Sequence, residues 1–345
     1  SVFDRRDVAK ALHRYINDDR QEFQSAFAKV MASPALVELQ AERRDDQGRV
    51  LEPTRYSTRE MVGIERDMAI SADRMADDRG GLPGRWFGVA GRRVEAAIAA
   101  RQRGGFVLAD EQRAAIEHVT GPKRIAAVVG LAGAGKSTML AVAREACEAK
   151  GYRVHGAALA GNAAEGLEES AGIASRTLAS WERGWERWFD QLGPRDVFVI
   201  DEAGMVGSKQ LSRFIQEADR ASAKIVLVGD PEQLQPIGPG AALRAVAERV
   251  GFVELEEIRR QREWWQREAS VDFGRHRTAE GLAAYAERGA IRLEETAEHA
   301  RDAIVRDVAA DNGGAAGRLA PGARASPGGR AEPQRGDPGG PKGAR

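Results

Sequence analysis

Between Arg124 and Thr138 the chain reads RIAAVVGLAGAGKST, an apolar run followed by three glycines within six residues and closed by a lysine and two hydroxyls. An apolar run of that length suits a strand covered on both faces. The glycines let the backbone turn tightly and aim successive N–H groups at one point, where the N-terminus of the expected helix adds a favourable dipole. The pattern is GxxxxGK[ST], which has meaning only between a strand and a helix, the context predicted here. It points to an α/β fold with a triphosphate lying against the loop. Gly130, Gly133, Ala134, Gly135, Lys136, Ser137 and Thr138 are the expected cofactor-binding residues; Lys136 would meet the β and γ phosphates and Ser137 would ligate Mg²⁺. In a chain with 39 glycines the competing reading is a chance Gly-rich turn. The flanking strand and helix argue against it.

Three more apolar runs, YRVHGAAL, VFVID and KIVLVGD, alternate with helical segments, the signature of a parallel sheet with crossover helices. VFVID ends on Asp201, with Glu202 beside it. An aspartate there can hold the Mg²⁺ hydration shell, and an adjacent carboxylate can orient or deprotonate an attacking water. An isolated Asp-Glu pair is as readily a helix cap or a solvated loop. Its position after the Gly-rich loop favours the chemical reading, because ligands of open α/β sheets sit at the carboxyl ends of the strands. The stretch VLVGDPEQLQPIG brings Gln233 to the same rim. A neutral amide there could hydrogen-bond the γ-phosphate or its attacking water and lose that partner on hydrolysis. The competing reading is an ordinary turn at Asp230 and Pro231.

The flanks have a different texture. DVAKALHRYI and EFQSAFAKVM have helical spacing, and ALVELQAERRDDQGRVLEPTRYS predicts two short strands around a polar turn. STRE at Ser57 to Glu60 matches a capping box opening a helix to about Ala76, and GRRVEAAIAARQRGG predicts a basic helix. From Asn312 the chain becomes rich in Gly, Ala, Pro and Arg, with no Leu, Ile, Val, Met or aromatic residue after Leu319. Such a segment buries too little apolar surface to offset its ordering entropy and is expected to be disordered. It reads as a linker, as a basic tail, or as a frameshifted reading of a GC-rich gene. The last is tested by reading the coding DNA in its other frames. The start at Ser1 suggests a processed protein or a piece of a longer one.

Composition narrows the class. With 42% hydrophobic and 30% charged residues and no apolar run of bilayer length, a membrane segment is not expected. No signal peptide is visible, a single cysteine excludes an internal disulfide, and five scattered histidines show no metal-ligand spacing. A reducing cytoplasm is the expected setting. Net charge is zero, so nucleic-acid binding would depend on local patches, backbone amides and helix N-termini.

GLAGAGKST, IDEAGM and GDPEQLQPI, in this order, resemble the first, RecA-like motor domain of superfamily 1 helicases with 5′ to 3′ polarity. SVFDRRDVAKALHRYI, YSTREM, HGAALAGNAAEGLEESAGIASRTLASW and ELEEIRRQREWWQ are in addition similar to the helicase portion of Ti-type TraA conjugative relaxases, over residues 1 to about 311. That resemblance implies ATP and Mg²⁺ as cofactors, and single-stranded DNA and other conjugative transfer proteins as partners. LADEQRAAI resembles the Q motif, so Gln112 would read the adenine edge. IRRQRE resembles motif IV, so Arg260 would reach toward the γ-phosphate. ALAGNAAEGL lies where the first strand-contacting motif falls, which makes Ala160, Gly161 and Asn162 expected DNA contacts, with Thr177 in the next such segment. Related helicases often carry Thr and a basic residue there, so contact in this chain would rest more on backbone N–H groups. Trp181 is as well suited to the core as to base stacking.

The resemblance divides the chain into an accessory domain (1–105), a P-loop motor domain (106–255), the start of a second motor domain (256–311) and a tail (312–345). Nothing after Asp311 resembles the later helicase motifs, including an arginine that completes the ATP site. Such an arginine is worth about 10³ to 10⁵ in rate, so slow hydrolysis and little unwinding are expected of this chain alone. No relaxase cluster of a tyrosine with metal-binding histidines is present, and nicking is not expected. A non-catalytic module that keeps an ATP site is the rival reading.

Overall fold

The computed structural model describes residues 2–17, 19–78, 87–105, 107–131, 133–230, 242–255, 263–274 and 277–316. Gln233 and Arg260 lie outside the described residues. The chain forms two compact units, Ser1–Glu287 and Arg288–Arg345.

In the first unit, α1 (Arg5–Leu12) and α2 (Arg20–Met31) each start at an aspartate whose carboxylate accepts from backbone N–H groups of the first turn. Four short strands follow: β1 (Leu36–Gln40), β2 (Arg43–Arg44), β3 (Val50–Glu52) and β4 (Arg55–Thr58). They make one interrupted hairpin, β1 against β4 and β2 against β3, with irregular register at Glu38/Gln40 and Arg43/Arg44. At its tip the Asp45 carboxylate accepts from Gln47 N and Arg49 N.

The helix α3 (Arg59–Asp77) begins one residue later than STRE suggests. Thr58 is the N-cap, its Oγ1 accepting from Met61 N at 3.1 Å. Ser57 is unavailable as a cap because it belongs to β4, paired with Val37 and buried. Thr58→Ala is expected to cost about 1 kcal/mol, read as a lower denaturant midpoint at unchanged m-value.

Next come α4 (Gly91–Arg103), α5 (Asp110–Thr120), β5 (Ile125–Gly130), α6 (Lys136–Ala149), β6 (Arg153–Ala158), α7 (Gly161–Ala171), β7 (Ser175–Thr177), α8 (Leu178–Glu186), β8 (Asp196–Ile200), α9 (Ser208–Arg220), β9 (Lys224–Gly229), α10 (Ala242–Val250) and β10 (Phe252–Leu255). The sheet has the order β10-β5-β9-β8-β6-β7, and every neighbouring pair is parallel. This is the expected α/β P-loop architecture. The period-2 alternation of side chains sorts each strand between two apolar layers. Ile225, Leu227, Phe198 and Ile200 face α3, α8, α9 and α10, whereas Val226, Val228, Val197 and Val199 face α4, α5, α6 and α7. Both α3 and α4, from the segment before residue 106, thus help cover the sheet.

Trp181 belongs to the first layer. Its ring meets Phe198 edge-on at 5.0 Å between centroids, and its Nε1 donates to Gly156 O at 3.0 Å. With its polar atom satisfied inside, it is a core residue. The first unit continues through α11 (Trp264–Gly274) and α12 (Thr278–Ala286), which pack through Trp265 against Tyr285. In the second unit α13 runs from Ala297 to Ala316, past the expected onset of disorder at Asn312. Each added helical residue gains one backbone hydrogen bond without a new nucleus, so a helix can outlast its apolar stripe.

Candidate nucleotide site and nucleic-acid rim

Because all six strands are parallel, every loop after a strand opens on one rim, and the strand order sets its sequence along that rim. The Gly-rich loop follows β5, Asp201 and Glu202 follow β8, and the end of β9 lies between them.

In the loop, Gly133 (φ 86) and Gly135 (φ 79) take left-handed backbone conformations, which aim the chain into α6. Ala134 is buried, while Lys136, Ser137 and Thr138 in the first turn of α6 are half-buried. The Lys136 ammonium donates to Gly130 O at 2.6 Å and Leu131 O at 3.3 Å, so it lies over the loop's own carbonyls. Gly130 is closely covered from β10: a Cβ there would stand 2.9 Å from Leu255 Cβ.

Burial pushes the Asp201 carboxyl above its ordinary range; the Glu202 N–H and the Lys136 ammonium act in the opposite direction. The influence of Lys136 on Asp201 brings the cradle and the strand-end carboxylate into one electrostatic neighbourhood. A carboxylate and a hydroxyl are oxygen donors of the kind Mg²⁺ takes, so the chemistry of Asp201 and Ser137 is compatible with that ion. Glu202 follows with φ 54, a conformation uncommon for a non-glycine residue. Its N–H donates to Asp201 Oδ1 at 2.9 Å, and its carbonyl accepts from Met205 N.

Two glycines that lie within IDEAGM and GDPEQLQPI, and to which the sequence assigned no role, hold this loop to the next strand. A Cβ on Gly204 would lie 2.3 Å from Asp230 O, and one on Gly229 would lie 2.8 Å from Gly204 N. The loop after β8 and the end of β9 therefore touch backbone to backbone. The signal was present as a glycine just past Asp201-Glu202 and another ending the next strand, but pairing them required the strand order.

Gln112 is fully buried, with its amide turned to backbone: Oε1 accepts from Ala109 N at 3.1 Å and Nε2 donates to Gly135 O at 3.3 Å. Farther along the rim, Ala160 ends the loop after β6, and Gly161 and Asn162 open α7, exposed and without a side-chain cap. Their N–H groups are the kind of backbone donors that bind phosphate. Thr177 ends the adjacent β7, and its Oγ1 accepts from Ser180 N at 3.2 Å to cap α8.

A glycine-built phosphate loop running into a helix, faced by a strand-end Asp-Glu pair on a parallel sheet, defines a P-loop nucleoside triphosphatase domain. The family described as AAA domain matches residues 107–296, more than half of the chain, and the chain belongs to that family. It is also 51% identical over 311 residues to the conjugal transfer protein TraA of Rhizobium radiobacter, covering 90% of this chain and 27% of that protein. Identity to the TraA protein of Agrobacterium fabrum is 48% over 308 residues, 89% of this chain and 27% of that one. The ATP-dependent RecD2 DNA helicase of Deinococcus radiodurans is 29% identical over 158 residues, 45% of this chain and 22% of the helicase. The chain thus spans about a quarter of the length of the curated TraA relatives it matches. Among solved structures, a Pif1 helicase studied at forked double-stranded DNA is similar with TM-score 0.38 and 23% identity, over 53% of this chain and 52% of that one. No helix among the described residues is long and apolar enough to cross a membrane.

Proposed function

We propose that this chain is the ATP-dependent DNA helicase or translocase segment of a conjugative transfer relaxase, binding Mg·ATP and single-stranded DNA. The observation that carries the reading is the shared rim: a Gly-rich cradle, a lysine that acts on a buried strand-end aspartate, and a glutamate fixed beside it. In the proposed mechanism Lys136 leaves the Gly130 and Leu131 carbonyls for the β and γ phosphates, a more strongly charged partner. Ser137 and Asp201 would hold Mg²⁺, which supplies charge neutralisation at the phosphates. Glu202 takes the proton of the attacking water. Gln233 and Arg260, both outside the described residues, are assigned to sensing and stabilising the γ-phosphate from the resemblance alone. Single-stranded DNA would run along the β6 and β7 end of the rim, its phosphates on the N–H groups of Gly161 and Asn162, with Thr177 beside them.

The TraA and RecD2 names support the DNA and transfer parts of this reading, and other transfer proteins are the expected partners. Hydrolysis by this chain in isolation is expected to be slow and unwinding negligible, because the arginine that later helicase motifs supply, a different residue from Arg260, has no match among the motifs that carry the resemblance; such a residue is worth about 10³ to 10⁵ in rate. The test is ATP binding and phosphate release by the purified chain, with and without single-stranded DNA. Binding with slow, DNA-stimulated hydrolysis is the expected result. ATP binding with no effect of DNA would favour a non-catalytic module, and absence of nucleotide binding would end the reading.

A further inference from the structure

At the end of the sheet opposite the rim, Lys224 opens β9 with only 2% of its surface exposed. Its ammonium donates to Gly121 O at 2.6 Å and to Lys123 O at 2.7 Å, both in the turn from α5 into β5, and so ties the foot of β5 to the foot of β9. Among the described residues no carboxylate pairs with it, and the groups around it are cations or neutral. From α5 comes His118, whose buried Nε2 has no hydrogen-bond partner and whose imidazole is pushed below its usual range by burial and by the charges of Lys224 and Lys123. From α6 come the buried thiol of Cys147 and, just past the helix end, Lys150, which donates to Gly88 O. Tyr152, before β6, donates to Phe87 O. Lys123 donates to Val250 O, at the end of α10. The acids of the adjoining elements are engaged elsewhere: Glu148 with Arg144, Asp196 with Arg153 and His155, and Asp78 and Asp219 with Arg124. An ammonium so placed bears the desolvation cost of its charge. An amine does not, and it keeps two N–H groups, one for each carbonyl. Loss of the proton therefore lifts the cost and breaks neither bond.

We propose that Lys224 is a pH-responsive clamp between β5 and β9, an ammonium near neutrality and an amine in mildly alkaline solution, and that the fold is more stable with the amine. The clamp does not rest on the nucleotide site. Burial pushes Lys224 down from 10.5 to about 8. Between those values the unfolded chain holds a proton that the folded chain has released, so stability rises with pH, by up to about tenfold in the folding equilibrium per pH unit. The neighbouring thiol acts the other way. Burial pushes Cys147 up from 9.0 to about 11, so between those values the folded chain keeps a proton that the unfolded chain has lost, and stability falls as pH rises. The two effects oppose each other above pH 9.0, which confines the steep gain to the interval between about 8 and 9.0. Lys150, pushed down by burial, adds to the gain; Tyr152, pushed up by burial, subtracts at higher pH. His118 acts only in the acid range, where its protonation lowers stability.

The test is urea denaturation of the whole chain from about pH 7 to about pH 10.5, read as the transition midpoint. The parent midpoint is expected to climb through the interval and then level off. Lys224→Met cannot titrate and should lose most of the climb. Cys147→Ala keeps the lysine and removes the opposing thiol, so its midpoint should go on rising where the parent's levels off. A parent midpoint that is flat or falls through the interval overturns the proposal, as does a climb in Lys224→Met as steep as the parent's. Where Lys224→Met leaves its two carbonyls unpaired and fails to fold, Cys147→Ala decides: a continued rise supports the clamp, and a midpoint that levels off with the parent's overturns it.

Discussion

A Glu202→Gln variant is expected to bind Mg·ATP about as well as the parent and to hydrolyse it at least ~10²-fold more slowly. Glutamine is nearly isosteric, and the backbone that places residue 202 is held independently of its side chain by the bond from its own N–H to Asp201 and by the bond its carbonyl accepts from Met205 N. What the amide cannot do is take a proton from water. Lys136→Ala should give the opposite signature, losing binding along with turnover, because the ammonium that lies on the loop's own carbonyls is removed. Titration calorimetry and single-turnover phosphate release separate the two effects. Unchanged turnover in Glu202→Gln removes that residue from the chemistry.

The second large effect concerns stability and reaches the same site. Gly204→Ala is expected to cost about 3 kcal/mol, the upper end of overpacking, and to depress hydrolysis as well. The obstacle to the new methyl is Asp230 O at 2.3 Å, a backbone atom at the end of β9 that no rotamer change can move. Relief requires the loop carrying Asp201 and Glu202 to separate from β9, which displaces both carboxylates. Gly166→Ala is the matched control. Gly166 lies within α7 with nothing within 4 Å of the added carbon, so the same substitution should stabilise by up to about 1 kcal/mol through helix propensity. Chemical denaturation of the two variants measures the contrast. A Gly204→Ala midpoint equal to the parent's would show that the two loops are not interlocked.

The sequence by itself determined the phosphate loop, the strand-end carboxylates and the alternation of apolar runs with helices. Each is written in a short contiguous stretch whose local physics suffices: glycines for left-handed turns, apolar alternation for a doubly covered strand, a lysine at a helix start. It did not reveal β7, since Ser-Arg-Thr is three residues long with no apolar run and exists through its pairing with β6. Nor did it separate the roles of Trp181 and Thr177, neighbours in one segment, of which one is consumed by the core and the other caps a helix on the rim. Strand order, the contact of Gly204 with Asp230, and the reach of Gln112 across 23 positions to Gly135 were decided only in three dimensions. These features depend on which distant backbones meet, and a glycine or an amide carries no mark of its partner until the fold brings the two together.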